Sequence, residues 1–460
     1  MRSRESRGSV FVCNECGYRA VRWEGRCPGC EEWGTLGVST SSGKMRLRRG
    51  WVSGEAQVVQ ELKTIEIDES ERLSLSYGEI NRVLGGGLVP GSVALLAGEP
   101  GIGKSTMLLQ VAQSVASNYG KTLYISGEES PQQLRLRSQR LGISGEGILV
   151  FCETDLETIL TKVEEIRPSL VVVDSIQTME YGEIETHPGS IAQIRESTRL
   201  LMQKAKASGV TLILAGHVTK DGDIAGPRVL EHMVDVVLSL EGDRLTSLRL
   251  LRGMKNRFGS TSEVGVFQME TNGLVEVIDP SRIFTQNRSR DAIGSVLVPT
   301  QQGIRPMLVE VQALTSPSAS GSPRRVASGI EFNRLLLITS VLSQREGFPL
   351  ASQDVIVNVA GGLRVTEPAA DLGIALAIIS SVKNMPPKSD LAAIGELGLS
   401  GEVRTVTSMD RRLGELARLG ISKCLVPSIG IGDFDLGSST EIVPVSNLKQ
   451  ALSVAFASGL

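Results

Sequence analysis

The sequence predicts an α/β protein built on a parallel-sheet nucleotide-binding core, with a small metal-stapled module before it and an α+β segment after it. Three observations carry that prediction. The run Gly98-Glu99-Pro100-Gly101-Ile102-Gly103-Lys104-Ser105-Thr106 fits G-x-x-x-x-G-K-[ST], the phosphate-binding loop. Apolar runs alternate with helical periods over 62–285, as a parallel α/β domain requires. Two Cys-x-x-Cys pairs, Cys13/Cys16 and Cys27/Cys30, stand ten residues apart near the start.

The phosphate loop lies in the context it needs. The apolar run 93–97 reads as a buried strand and 107–116 as a helix. The glycines let the main chain wrap a phosphate with its N–H groups, and Lys104 brings a point charge to the β- and γ-phosphates of ATP. The Ser105 hydroxyl can complete a Mg²⁺ shell, and the helix N-terminus adds a favourable field.

Bulk composition narrows the class. A chain of 460 residues suits two to four domains, and 41% apolar residues is ordinary for a soluble protein. The apolar runs are too short to span a bilayer, so no membrane association is expected. Met1-Arg2-Ser3-Arg4-Glu5 lacks an apolar export signal, which points to the cytoplasm. A net charge of −3 neither announces nor excludes nucleic acid, so any DNA-binding surface must be local.

In chain order, residues 10–36 read as a four-cysteine zinc module. Without an export signal, metal binding outweighs disulfides for the two pairs, and Gly17 and Pro28-Gly29 suit the tight turns. So small a segment depends on its Zn²⁺ to fold; a redox role is the alternative. Trp23 and Trp33 are expected to cover the metal, and Cys152 and Cys424 to be core residues. Residues 37–61, rich in Ser, Gly and Arg, read as a basic linker.

Within 62–285, the strand Leu123–Ser126 ends in Gly127-Glu128-Glu129-Ser130. A carboxylate there can orient an attacking water, with Glu128 the first choice and Glu129 the second; both would equally favour the helix start that follows. The strand Leu170–Val173 ends in Asp174, a Walker B arrangement whose acid reaches the magnesium shell. Residues 180–190 and 220–231 are polar loops, and His217 ends the strand Val210–Ala215, either as a γ-phosphate sensor or as a strand cap. Strands follow at 232–241 and 246–252, then the basic turn Lys255-Asn256-Arg257-Phe258-Gly259.

The four cysteines, Gly98–Thr106, Asp174 and Lys255-Asn256-Arg257-Phe258-Gly259 occur in the order seen in the bacterial RadA (Sms) family of DNA-repair proteins, which the chain resembles over nearly its whole length. That resemblance implies a RecA-like core and an assembly similar to replicative DnaB-type helicases, with a hexamer as the expected homo-oligomer. It implies that Lys255 and Arg257 reach across a subunit interface to the neighbour's ATP, and that loops 180–190 and 220–231 line a channel holding single-stranded DNA. The implied activity is an ATP-driven motor on single-stranded and branched DNA, extending by branch migration the intermediates made with the RecA recombinase. A nucleotide-gated ring that does not translocate is the runner-up.

The last segment, 286–460, has breaks in 286–300 and 315–329, paired strands at 294–298 and 307–313, and helices near 331–344, 367–382 and 410–419. It is similar to the proteolytic domain of Lon-type proteases, where a serine stands in a Pro-Ser-Ala-Gly setting. Here that run is Pro368-Ala369-Ala370-Asp371, and the place of the lysine partner falls at Asp410, followed by Arg411 and Arg412. Alanine has no hydroxyl to attack an amide. The expectation is a scaffold that is catalytically inactive, with an ATP-dependent protease as a weak third reading.

Overall fold

The computed structural model describes residues 10–13, 18–20, 22–39, 61, 63, 72–217, 229–242, 247–286, 288–289, 291–318, 322–388, 390–429 and 440–456. Cys16, almost all of the basic linker and residues 220–228 of the second polar loop lie outside them. The chain divides into two compact units, Met1–Glu276 and Val277–Leu460. The helix Pro280–Thr285 therefore belongs to the second unit, although the sequence reading placed it in the first.

The first unit begins with three short strands, β1 (Val10–Cys13), β2 (Arg19–Ala20) and β3 (Leu36–Ser39), paired antiparallel in the order β2-β1-β3. Strand β3 carries the ribbon to Ser39, into the stretch read as linker.

The core then runs α1 (Gly78–Leu84), β4 (Val93–Gly98), α2 (Lys104–Tyr119), β5 (Thr122–Ser126), α3 (Pro131–Arg140), β6 (Ile148–Phe151), α4 (Leu156–Ile166), β7 (Leu170–Asp174), α5 (Ile191–Ser208), β8 (Thr211–His217), α6 (Val229–Met233), β9 (Val236–Glu241), β10 (Leu248–Asn256), β11 (Val264–Glu270) and β12 (Gly273–Glu276). Among the described residues these strands form one sheet, ordered β12-β11-β10-β9-β4-β8-β7-β5-β6. Strands β9, β4, β8, β7, β5 and β6 pair parallel, while β9 to β12 form an antiparallel meander.

Strand β4 is central and wholly buried. Its side chains alternate between two cores, Ala94 and Leu96 on one face, Val93 and Leu95 on the other. Burial on both faces explains the unbroken apolar runs in β4, β7 and β8. Residues 234–235 intervene before β9, so that strand starts at Val236 rather than 232, and β10 continues to Asn256 instead of ending at Arg252.

The second unit contains α7 (Pro280–Thr285), β13 (Ser295–Gln302), β14 (Arg305–Pro317), β15 (Arg325–Ser328), α8 (Phe332–Glu346), β16 (Gln353–Val359), α9 (Asp371–Lys383), β17 (Leu391–Ala393), β18 (Glu396–Leu397), β19 (Val403–Arg404), α10 (Met409–Arg418), β20 (Lys423–Pro427), β21 (Glu441–Val445) and α11 (Leu448–Ala455). Its mixed sheet runs β15-β16-β14-β13-β17-β20-β21, and β18 and β19 form a separate antiparallel hairpin. Strand β15 pairs parallel with β16, so part of the stretch read as a break is an edge strand. Helix α9 is buried along nearly its whole length, which is why its sequence is apolar all round.

Candidate nucleotide site

The sheet gathers the site at the carboxyl ends of its parallel strands. Gly98 lies opposite His217, and Ser126 opposite Asp174. The phosphate loop leaves β4 there and enters α2 at Lys104. Gly103 has φ +120°, a backbone conformation that side-chain-bearing residues rarely adopt, so the turn demands glycine there; a Cβ on it would stand 2.6 Å from the mobile tip of Met269. Lys104 Nζ donates to the carbonyls of Gly98, at 2.8 Å, and Glu99, at 3.0 Å. Burial pushes its ammonium pKa down, and the nearby charges of Asp174 and Glu128 only partly offset this. Glu99, Pro100 and Gly101 are exposed at the loop's mouth; Ile102 and Thr106 are buried, and Ser105 is half-buried in the first turn of α2.

Asp174 ends β7, and its Oδ2 accepts a 2.7 Å hydrogen bond from the Tyr124 hydroxyl. Burial first, then Asp174, holds that phenol well above its ordinary pKa, so it stays a donor. Tyr124 was not foreseen; a polar aromatic inside an otherwise apolar strand was the available clue.

The two adjacent glutamates part company. Glu128 Oε1 accepts 2.6 Å from Ser175 Oγ and lies 3.2 Å from His217 Nε2. Burial raises its pKa, but the bonds from Ser175 and His217, with the charges of His217 and Lys104, outweigh burial and hold the carboxyl below its usual value. Glu129 turns away to pair with Arg137 of α3 at 2.5 Å. Gly98–Thr106, Asp174, Glu128 and His217 are thus brought to one edge of the sheet.

Lys255 and Arg257 are not. Strand β10 runs antiparallel to β9, with Asn256 opposite Val236, while β9 runs parallel to β4 with Val236 opposite Ala94. Asn256 is therefore level with the start of β4, roughly 13 Å of strand from Gly98, and Arg257 lies beyond it. Lys255 Nζ donates to the carbonyls of Glu231, His232 and Val234 at 2.7–3.1 Å, closing the end of α6. Arg257 approaches the buried Asp235 at 3.5 Å, as Lys206 does at 3.6 Å. Burial, then the charge of Arg257, lowers the Lys255 ammonium below its ordinary value.

The basic turn is docked on α1. Asn256 Nδ2 donates to Leu84 O at 3.2 Å, and Arg72 reaches both Gly85 O and Phe258 O. A Cβ on Gly259 would meet the Gly85 Cα at 3.3 Å, so this turn cannot carry a side chain without shifting.

The first polar loop is less free than its composition suggested. The buried Gln193 amide accepts from Tyr181 N and donates to the carbonyls of Tyr181, Ile184 and Thr186. Of 220–231, only the residues of α6 are described.

In the ribbon, the thiols of Cys13, Cys27 and Cys30 lie within 4.8 Å of one another, and Cys13 Sγ is 3.7 Å from Cys30 Sγ. Four sulfurs at Zn–S distances of about 2.3 Å in a tetrahedron stand about 3.8 Å apart, so the described thiols fit such an ion. Cys16, the expected fourth ligand, lies outside the described residues. Trp23 and Trp33 do not cover the site: they are 60% and 75% exposed. The only non-cysteine core here is Ala20 and Leu36 among the described residues, too little to draw in two indoles. Cys424 is buried as expected, but Cys152, at the end of the edge strand β6, is exposed.

In the second unit, Ala369 and Ala370 are buried in a short 3₁₀ turn before α9. From α10, Arg412 reaches Glu367, the residue just before this run. Its guanidinium, 1% exposed, pairs in bidentate fashion with Glu367 at 2.8 and 2.5 Å, and donates to Pro299 O and Thr407 O.

Comparison with known proteins gives three family matches: an AAA domain over 64–223, the ChlI subunit of Mg-chelatase over 306–429, and a rubredoxin metal-binding domain over 11–37. The chain is 47% identical over 446 residues to the DNA repair protein RadA of Halalkalibacterium halodurans, covering 96% of this chain and 98% of that protein. It is 46% identical over 447 residues to the DNA repair protein RadA of Bacillus subtilis, with the same coverage. Among solved structures, a RadB recombinase aligns with TM-score 0.37 and 23% identity over 45% of this chain and 99% of that one.

Proposed function

This chain belongs to the RadA family of DNA-repair ATPases, and from that premise we propose that it is a ring-forming, ATP-driven motor on single-stranded and branched DNA that promotes branch migration of intermediates made with RecA. The observation that carries the reading is the placement of Lys255 and Arg257. They stand at the edge of the sheet opposite their own phosphate loop. A cation there can serve a nucleotide only if the nucleotide belongs to a neighbouring copy.

In the proposed cycle the N–H groups of Gly98–Thr106 and the Lys104 ammonium bind the phosphates of ATP. Lys104 gives up the carbonyls of Gly98 and Glu99 to do so. Ser105 and Asp174 are the residues that would hold Mg²⁺, whose charge would offset that of the phosphates when bound. Glu128, aimed by Ser175 and His217, orients the water. The neighbour's Lys255 and Arg257 meet the charge that develops on the γ-phosphate. To reach it, Lys255 leaves three carbonyls at the end of α6, the helix that follows the second polar loop. Nucleotide at one junction and strand grip in the next copy are thereby linked.

Zn²⁺ on Cys13, Cys16, Cys27 and Cys30 would fold the ribbon. The protease reading has no support at the Ala369–Ala370 run, where no hydroxyl stands and Arg412 is committed to Glu367.

The test is unwinding of forked DNA by the purified protein, with ATP hydrolysis measured in parallel. Strand separation with ATP but not with a non-hydrolysable analogue, and hydrolysis raised by single-stranded DNA, are expected. Hydrolysis indifferent to DNA, with no strand separation, would leave the non-translocating ring instead.

A further inference from the structure

The phosphate loop has a buried anchor that no motif names. Arg249 of β10 is 6% exposed, and its Nε donates to the carbonyl of Ile102, inside the loop, at 3.0 Å; its NH1 donates to Leu248 O at 2.7 Å. The residues in contact are 147 positions apart in the chain. We propose that Arg249 is a positioning residue for the nucleotide, holding the Ile102–Gly103 peptide so that its N–H faces the phosphates. This inference rests on the ATPase reading of the same site.

The reasoning starts from the peptide plane. In a planar trans peptide, the carbonyl of one residue and the N–H of the next point in opposite directions. A guanidinium that draws the Ile102 oxygen into the protein therefore turns the Gly103 N–H outward, into the bowl where the loop receives an anion. Gly103 has no side chain, and the Met269 methyl comes within 2.6 Å of where a Cβ would stand, so apolar side chains pack beneath the peptide that the hydrogen bond holds. Leu274 and Leu240 close the same floor. Strands β9 to β12 thus supply the bed of a loop that lies between β4 and α2.

The path of Arg249 is kept open by Gly242, where a Cβ would lie 2.8 Å from Arg249 Cδ and 2.7 Å from Leu248 O. The same strand carries Lys255, so one end of β10 steadies the subunit's own nucleotide while the other end carries the cation assigned to the next copy.

The test uses the full-length protein and the variants Arg249→Met and Arg249→Lys, with Lys104→Ala as control. ATP hydrolysis is measured against ATP concentration, and each variant's melting curve is recorded. Arg249→Met should raise KM for ATP roughly ten- to hundredfold, the loss of one charge-assisted hydrogen bond, with kcat within about threefold because Glu128 and Asp174 are untouched. Arg249→Lys, which keeps the charge and one donor, should recover part of that loss. A folded Arg249→Met protein with wild-type KM overturns the proposal. Should Arg249→Met fail to fold, Arg249→Lys decides by the same criterion, and failure of both to fold marks Arg249 as structural and rejects the proposal. Wild-type protein that does not hydrolyse ATP, or Lys104→Ala protein that does so undiminished, would break the ATPase reading instead.

Discussion

Replacing Arg412 by Met should destabilise the second unit severely, and the structure gives the size of the effect. Arg412 donates four hydrogen bonds: two to the Glu367 carboxylate and one each to Pro299 O and Thr407 O. Without it, Glu367, 22% exposed, is left as a partly buried anion with the Thr300 hydroxyl and the Gln301 N–H as donors. Breaking a buried pair from one side costs ~3–5 kcal/mol. For a unit spanning Val277–Leu460, each kcal/mol moves the midpoint by about 2–4 °C, so the C-terminal transition should fall by about 6–20 °C in calorimetry of the full chain.

Acid should narrow the gap. Burial raises the Glu367 pKa, but Arg412, the Thr300 hydroxyl and the Gln301 N–H together outweigh it and the folded carboxyl sits below its ordinary value. The pair's contribution is therefore fully present above the unfolded pKa of about 4.3. It is lost as pH falls through the lower, folded value. Glu367→Gln combined with Arg412→Met should recover at least half the loss, because no anion is then stranded. A midpoint within about 2 °C of wild type for Arg412→Met, or a double variant no better than the single one, would refute this reasoning.

Other outcomes follow from the same geometry. Glu128→Gln should keep ATP binding and lose roughly 10²–10⁴ in hydrolysis, whereas Glu129→Gln should cost little catalysis, since that carboxylate is committed to Arg137; paired binding and turnover measurements separate them. Ser175→Ala removes a bond that lowers the Glu128 pKa, so the acid limb of the ATPase pH profile should move to higher pH. Cys27→Ser should reduce bound zinc well below about one ion per chain by elemental analysis, and the ribbon, with so small a core, should become protease-sensitive.

Much of the site was readable because its signals are local. The phosphate loop, the strand before it, the helix after it and Asp174 each show within a few residues. What stayed hidden depends on register between distant strands. Nothing near Lys255 says that β10 turns it away from Gly98, and nothing near Arg249 says that it touches Ile102. Gln193 ties down half of a loop by side-chain bonds that leave no periodicity in the sequence. Trp23 and Trp33 were expected to cover the metal, but the ribbon's core is too small to bury them. Strand β15 was missed because Arg325–Ser328 is too short to show alternation, and its pairing with β16 is what makes it a strand. In α10 the resemblance to Lon-type proteases put the lysine partner's place at Asp410; Arg412, two residues on, is the side chain that pairs with Glu367.

The most direct measurement mixes two crippled proteins. Lys104→Ala subunits cannot use their own phosphate loop, and subunits carrying Lys255→Ala with Arg257→Ala offer no cations to a neighbour. Each alone should hydrolyse ATP poorly. Mixed in equal amounts and allowed to exchange, about one junction in four should pair an intact loop with an intact cation pair, and ATPase activity should reappear well above the sum of the separate proteins. Activity no greater than that sum, with exchange of labelled subunits demonstrated, would mean that Lys255 and Arg257 do not act on a neighbour's nucleotide.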